Sequence, residues 1–367
     1  MRELTFIRAG RLQWRECDAP TLQDPGDAIV RPFVAGRCDG DTLPIHRAVS
    51  RAMQLGMRIG LVDPIVGTIC GHIPFQGPFA IGHECVAQVV EVGDDVTGLH
   101  PGQVVVVPWA VSCGSCPRCR RGLTAKCSTT RTSTLAAFGF GPASGPWGGM
   151  IADRIRVPFA DHMLVPVPDG VDPVRIAAAS DNLSDAWCCV VPPLRKRPGA
   201  SVLVIGGAAQ SIGLYAAGLA VANGASVVDY VDDRPQRLAI AEALGARIHR
   251  RARGFPQRYD ISVEATSTSA GLDLALRSLN PGGLCTAVGY YLRPGTKVPM
   301  MHMYANDATL KVGVSHVRPL LPELLEFMAQ TDFPAGQVTT LTAEWDDAPY
   351  AYLEHTKLVL RRNPLVP

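Results

Sequence analysis

Between Val111 and Ser128 four cysteines, Cys113, Cys116, Cys119 and Cys127, stand with two, two and seven residues between them. Four thiolates so spaced in a short loop can close tetrahedrally on one Zn²⁺. Neighbouring Arg118, Arg120, Arg121 and Lys126 help to hold the sulfurs ionised. Disulfides or unrelated buried thiols are the plainer alternatives. A metal with every position filled by sulfur has no room for a substrate, so such a zinc braces a loop, and the chemistry must lie elsewhere.

A second stretch with chemical potential is Gly206-Gly207-Ala208-Ala209-Gln210-Ser211-Ile212-Gly213. It falls between an expected strand at 202–205 and an expected small-residue helix at 211–222. Backbone N–H groups at such a helix start can receive a pyrophosphate. The match to G-x-G-x-x-G is incomplete: counting back from Gly213, Gln210 and Ala208 fill the other two glycine places. Asp232, nineteen residues after Gly213, ends the next expected strand, where a carboxylate accepts hydrogen bonds from a ribose 2′-hydroxyl. Asp233 beside it would repel a 2′-phosphate, which favours NAD over NADP. Arg234 and the cluster Arg247, Arg250, Arg251 and Arg253 weigh the other way unless they form a solvated loop. Arg237 and Val288 complete the candidate cofactor contacts.

The elements that must position these residues form two textures. Up to about Pro168 short β segments dominate, at 3–6, 28–34, 86–92, 103–107, 151–157 and 163–165, with a helix within 45–59 and a Gly/Pro-punctuated stretch to Pro78 that could wall a pocket. Helical composition follows at 174–179, and a further helix opens at Ser180 and ends at Pro192-Pro193. From Ser201 strands (202–205, 226–231, 261–264, 284–288, 310–314) alternate with helices (211–222, 236–244, 271–279), the pattern of a parallel sheet. The last fifty residues, with a helix near 320–329 and a strand at 357–360, return to the first domain. The expected division is 1–181 with 319–367, and 182–318.

Composition sets limits. At 367 residues the chain exceeds one usual core, and 47% hydrophobic with 19% charged residues describes a buried globular protein. A net charge of +2 gives no reason to expect nucleic acid or an acidic membrane as partner. No apolar run approaches the roughly 18 residues of a membrane span, and the start lacks a secretion signal. Eleven cysteines, four of them in a zinc array, fit a reducing compartment, so the cytoplasm is the expected location.

Taken in order, several features resemble the zinc-dependent medium-chain dehydrogenase/reductase family, the alcohol dehydrogenases: Cys38 before an acidic segment, Gly82-His83-Glu84, the four-cysteine loop, the nucleotide turn, and Asn280-Pro281-Gly282-Gly283 before strand 284–288. The stretch from Gly148 to Trp187, with Arg156-Val157-Pro158-Phe159-Ala160-Asp161 and Ser180-Asp181, is most similar to the formaldehyde-dehydrogenase-type branch. The resemblance implies an α/β fold, with a GroES-like β-rich catalytic domain and a Rossmann domain. It also implies two zinc ions per chain, NAD(H), a small alcohol or carbonyl substrate, and a homodimer or homotetramer joined through the last strand of the nucleotide domain. Its catalytic zinc would sit on Cys38, His83 and Asp181, an S, N and O set that leaves a fourth position open for a Lewis acid to act. Glu84 would stand behind that metal, and Asp41 would accept the second ring N–H of His83. This chain departs from the family pattern in three places. Gly40 replaces the hydroxyl residue that passes the alcohol proton outward, Asp39 replaces a basic residue that meets cofactor phosphate, and Asp185 stands where a threonine touches the nicotinamide. Asp185, His46 or ordered water could then carry the proton. The alternatives to a freely exchanging dehydrogenase are an enzyme cycling a tightly held NAD between two aldehydes, and a catalytically silent homologue with a binding role.

Overall fold

A computed structural model describes residues 1–130, 135–250, 257–354 and 357–365, which leaves Arg251 and Arg253 outside the described residues. The chain divides into two compact units: Met1–Asp181 with His316–Thr331 and Thr339–Pro367, and Asn182–Ser315 with Asp332–Val338.

In the first unit a seven-stranded sheet is built around strand Ala28–Gly36, which runs antiparallel to Glu84–Val92 on one side and to Leu358–Arg361 on the other. Side chains that alternate along these strands bury Val30, Ala35, Cys85, Ala87 and Leu360 in one core with Phe138, Met150 and Tyr352. Burial of this kind contributes about 25 cal/mol per Å² of apolar surface and sets strand register, since a slip by one residue would turn the apolar set outward. A smaller sheet joins Arg2–Arg8 to Arg11–Glu16 and to Phe79–Ala80.

In the second unit all pairings of the six-stranded sheet are parallel. Strand Val202–Ile205 is flanked by Val228–Asp232 and by Tyr259–Glu264. Arg247–Arg250 forms one edge and Thr309–Val312 the other. The inner strands Val202–Ile205, Val228–Asp232 and Tyr259–Glu264 are buried almost throughout, the two edge strands are largely exposed, and helices supply the crossovers that parallel pairing requires. The small-residue helix Gln210–Ala222 is buried along most of its length.

Several elements differ from the sequence reading. The helix that was expected to stop at Pro192-Pro193 runs Asn182–Lys196 and carries both prolines inside it. Proline removes an amide donor and crowds the preceding turn, yet Cys189, Val190, Val191 and Leu194 around the pair are buried, and tertiary burial outweighs the local penalty. The single helix expected within 45–59 is two, Thr42–His46 and Ser50–Arg58, broken at extended Arg47, and a third follows at Val66–Cys70. Met163 closes a helical turn, Ala160–Met163, instead of opening a strand. Residues 280–283, placed before the strand by the sequence, are a bulge inside strand Leu279–Ala287: neighbours Tyr259 and Ile261 pair with Leu279 and Leu284. Val288 lies just beyond that strand. Residues 174–179 hold only a 3-10 turn, Pro173–Ile176.

Candidate functional site

Three chain segments converge in the first unit. Gly36 pairs with Glu84 across the antiparallel strands, so Cys38, two residues beyond the end of one, meets His83, one residue before the start of the other. Ser180 is fastened to the same strand, its hydroxyl donating to the carbonyl of Cys85 at 3.1 Å and accepting from the amide of Cys85 at 3.0 Å. That pair of bonds delivers Asp181. Glycine is needed at Gly36 because a Cβ there would run into the Glu84 carboxylate.

The resulting cluster holds one sulfur, one nitrogen and one oxygen donor, from Cys38, His83 and Asp181, all within 4.8 Å of one another. The thiol of Cys38 lies 3.0 Å from Asp181 Oδ2, and His83 Nε2 is 3.4 Å from the same oxygen. His83 is buried, stacked at 4.6 Å on Phe140, and neither ring nitrogen has a hydrogen-bond partner. A buried ring whose nitrogens find no partner is costly unless something else binds it. Burial, and then the charges of Asp181, Glu84, Asp41 and Asp39, push the Cys38 thiol well above its ordinary range; a divalent cation among these donors reverses that balance. Residue types, number and spacing therefore fit a three-ligand zinc with an open position.

Asp41 stands 3.7 Å from His83 Nδ1, beyond hydrogen-bond distance, and receives the Tyr352 hydroxyl at 3.4 Å. The amide of Gly40 donates to Cys38 Sγ at 3.3 Å, so this glycine, without a hydroxyl, still supports the thiolate. Glu84 is fully buried, and its partner was absent from the sequence reading: Lys357 Nζ lies 2.9 Å from Glu84 Oε2 and 2.8 Å from the carbonyl oxygen of Arg37. Nothing in the local sequence marks Lys357, since the pair exists only once strands distant in the chain are side by side.

The four-cysteine loop forms a second cluster of the same tightness, with every thiol buried. Cys116 Sγ and Cys127 Sγ are 3.9 Å apart, close to the edge of about 3.8 Å that a tetrahedron with Zn–S of about 2.3 Å requires. All cysteines are free thiols, which removes the disulfide alternative. The amides of Cys113, Cys116 and Cys119 each donate to a sulfur of the set at 3.4 Å. Burial opposes ionisation of Cys116, but hydrogen bonds from Ser128 and Cys119 bring its thiol down to about 5, and bonds from Thr129 and Ser115 bring Cys113 to about 7. Cys119 is pushed the other way, by burial and then by the neighbouring Cys116 and Cys127 sulfurs, so two thiols of the set are disposed to ionise unaided and a cation would be needed to ionise Cys119.

In the second unit Gly206 and Gly207 leave strand Val202–Ile205, and Gln210, Ser211, Ile212 and Gly213 open helix Gln210–Ala222. Asp232 closes strand Val228–Asp232 beside this turn. Its Oδ1 accepts the amides of Asp233 at 2.7 Å and Arg234 at 2.9 Å, while Oδ2 takes the Tyr230 hydroxyl at 3.1 Å and lies 3.3 Å from Arg237 Nε. Arg237 also donates to the carbonyl of Gly207. A Cβ on Gly206 would strike Asp232 and Tyr230, which explains a glycine at that first position. Arg247 and His249 do not face this site; both bind Asp229. Val288 donates its amide to the Glu264 carbonyl at 3.0 Å. Asp185 lies in the first turn of helix Asn182–Lys196.

Against known proteins, the model of the alcohol dehydrogenase GroES-like domain matches residues 24–169. A probable zinc-binding alcohol dehydrogenase of Mycobacterium tuberculosis is 28% identical, the match covering 96% of this chain and 84% of that protein. The solved alcohol dehydrogenase of Thermus sp. ATN1 is 30% identical, with a TM-score of 0.82 over 98% of this chain and 99% of that one. The chain belongs to the zinc-dependent medium-chain dehydrogenase/reductase family. It is accordingly an α/β oxidoreductase of the zinc alcohol dehydrogenase type, with a GroES-like and a Rossmann-like part. Over half of its length this family member is also similar to the glutathione-independent formaldehyde dehydrogenase of Pseudomonas aeruginosa, 33% identical over 188 residues that cover 50% of this chain and 46% of that protein. Among the described residues no helix is long and apolar enough to cross a membrane.

Proposed function

We propose that this protein is a zinc- and NAD(H)-dependent alcohol dehydrogenase or carbonyl reductase acting on a small alcohol, aldehyde or ketone. The observation that carries the reading is the convergence of Cys38, His83 and Asp181 from three separate segments. In this reading those side chains hold a catalytic zinc and leave one position open, while Cys113, Cys116, Cys119 and Cys127 hold a second, closed zinc, giving two per chain. When bound, zinc supplies a Lewis acid for an alcohol or carbonyl oxygen, and NAD(H) supplies the hydride acceptor or donor.

The chain's own residues do the rest. Cys38 and Asp181 contribute the negative charge that balances the metal, and neutral His83 completes the set. Asp232 receives the adenosine ribose, Arg237 holds that carboxylate in place, and Asp233 disfavours a 2′-phosphate, which supports NAD over NADP. With Gly40 carrying no hydroxyl, the proton leaves through Asp185, His46 or water; an unchanged pH–rate profile after replacing both side chains would remove those two carriers. The exposed edge strand Thr309–Val312 is the proposed seam of a homodimer or homotetramer, and the free thiols suit a cytoplasmic setting.

The deciding experiment combines metal analysis with NADH oxidation against a panel of aldehydes and ketones. Near two zinc per chain and turnover of a panel member support the reading. A preparation with one zinc, in which iodoacetamide freely alkylates Cys38, overturns it.

A further inference from the structure

The first unit carries another concave site, whose lining shares no residue with either metal-ligand cluster. It is a cleft of about 440 Å³, within the roughly 300–1,000 Å³ usual for small-molecule sites. Arg2, Arg31, Arg154 and Arg362 line it, against the carboxylates of Asp153 and Asp346. Among the described residues, the cleft is left with two positive charges in excess.

The pairings show where that excess sits. Asp346 takes Arg2 at 2.8 Å, and Asp153 takes Arg362 at 3.0 Å together with the amide of Arg2 at 2.7 Å. Arg362 is committed further, donating to the carbonyls of Pro32 and Ala152 at 2.8 Å and lying 4.1 Å over the Trp345 ring. It is a fixed part of the wall. Arg31 uses one N–H on the carbonyl of Asn363 at 2.7 Å. Arg154 is exposed and, among the described residues, has neither an ion pair nor a hydrogen bond. The unmatched charges are therefore those of Arg31 and Arg154, both with donors to spare. Burial, and next the repulsion of Arg31, bring Arg362 down to about 10, a tension that an anion in the cleft would relieve. Trp345 and Leu365 add an apolar wall for a carbon body.

We propose that this cleft binds a small dianion, a phosphate monoester or a dicarboxylate, between Arg31 and Arg154. Planar guanidinium groups pair with oxyanions through two parallel N–H bonds, and two such groups match two negative charges. Because Arg154 is exposed, affinity falls as salt rises.

The test is titration calorimetry of the full chain at low ionic strength with inorganic phosphate, succinate and acetate. It uses wild type, Arg154→Gln, Arg31→Gln and Arg237→Gln, the last because phosphate could also enter the nucleotide turn. The expected result is one saturable event per chain with at least one dianion, tighter than with acetate. Arg154→Gln and Arg31→Gln weaken it at least tenfold, Arg237→Gln leaves it unchanged, and the tighter of phosphate and succinate identifies the oxyanion. Among the described residues exposed Arg154 makes no hydrogen bond or ion pair that its replacement would break, so its variant tests the site directly. No saturable binding of either dianion overturns the proposal. So does binding that persists in Arg154→Gln, or that disappears in Arg237→Gln. None of these outcomes depends on whether the chain is a dehydrogenase.

Discussion

Lys357 Nζ lies 2.9 Å from Glu84 Oε2, and both side chains are closed to solvent. Removing one member of such a pair strands the other charge in a medium that solvates it poorly, at a cost of about 3–5 kcal/mol. Lys357→Met is expected to lower stability by about that amount in urea unfolding, and the double variant Lys357→Met with Glu84→Gln to recover most of it. A single variant that loses less than about 1 kcal/mol would show that Glu84 finds another partner or takes up a proton without penalty.

The Cys38, His83 and Asp181 cluster should behave as a unit. Cys38→Ser or Asp181→Ala is expected to reduce zinc from about two to about one per chain and to cut dehydrogenase turnover at least ~100-fold, with the circular dichroism spectrum unchanged. Two zinc retained in both variants would place the second ion elsewhere.

The cysteine loop should answer differently. Structural zinc contributes about 10–16 kcal/mol of apparent binding free energy in small zinc-finger peptides, so Cys119→Ser is expected to lose that metal and to open residues 113–127 to limited proteolysis. Unaltered zinc content and unaltered protease resistance would mean that the thiols pack without a metal.

A third network sets an acid limit. Asp229 is buried, which favours its neutral form, but hydrogen bonds from Arg247, Tyr259 and His249 outweigh burial and hold its carboxyl below the usual range. The unfolded chain has the ordinary value of about 3.9. The contribution of Asp229 to stability is therefore complete above that value and is lost as pH falls through the lower folded value. Asp229→Asn should reduce stability at pH 7 and flatten the fall in urea midpoint below about pH 5. A variant whose acid limb matches wild type would assign that limb to other carboxylates.

Legibility followed distance along the chain. The four thiols stood out because a tetrahedral ion imposes a local spacing, and the alternating strands and helices of residues 201–314 because parallel pairing imposes a periodic one. Cys38, His83 and Asp181 carried no such signal as isolated residues, and only likeness to a family singled them out. Strands Arg11–Glu16, Arg247–Arg250 and Leu341–Glu344 escaped notice because their burial is partial and their polar residues frequent.

By itself the sequence determined the four-cysteine loop and the glycine-rich turn, each encoded within some thirty consecutive residues, and the class of fold, encoded in the alternation over residues 201–314. Tertiary structure decided that two prolines would sit inside a helix, that Lys357 would neutralise Glu84, and that four arginines would share one cleft. Those outcomes depend on what a residue meets after the strands have paired. Burial and Coulomb energy act through space, and a linear pattern records only what lies nearby along the chain.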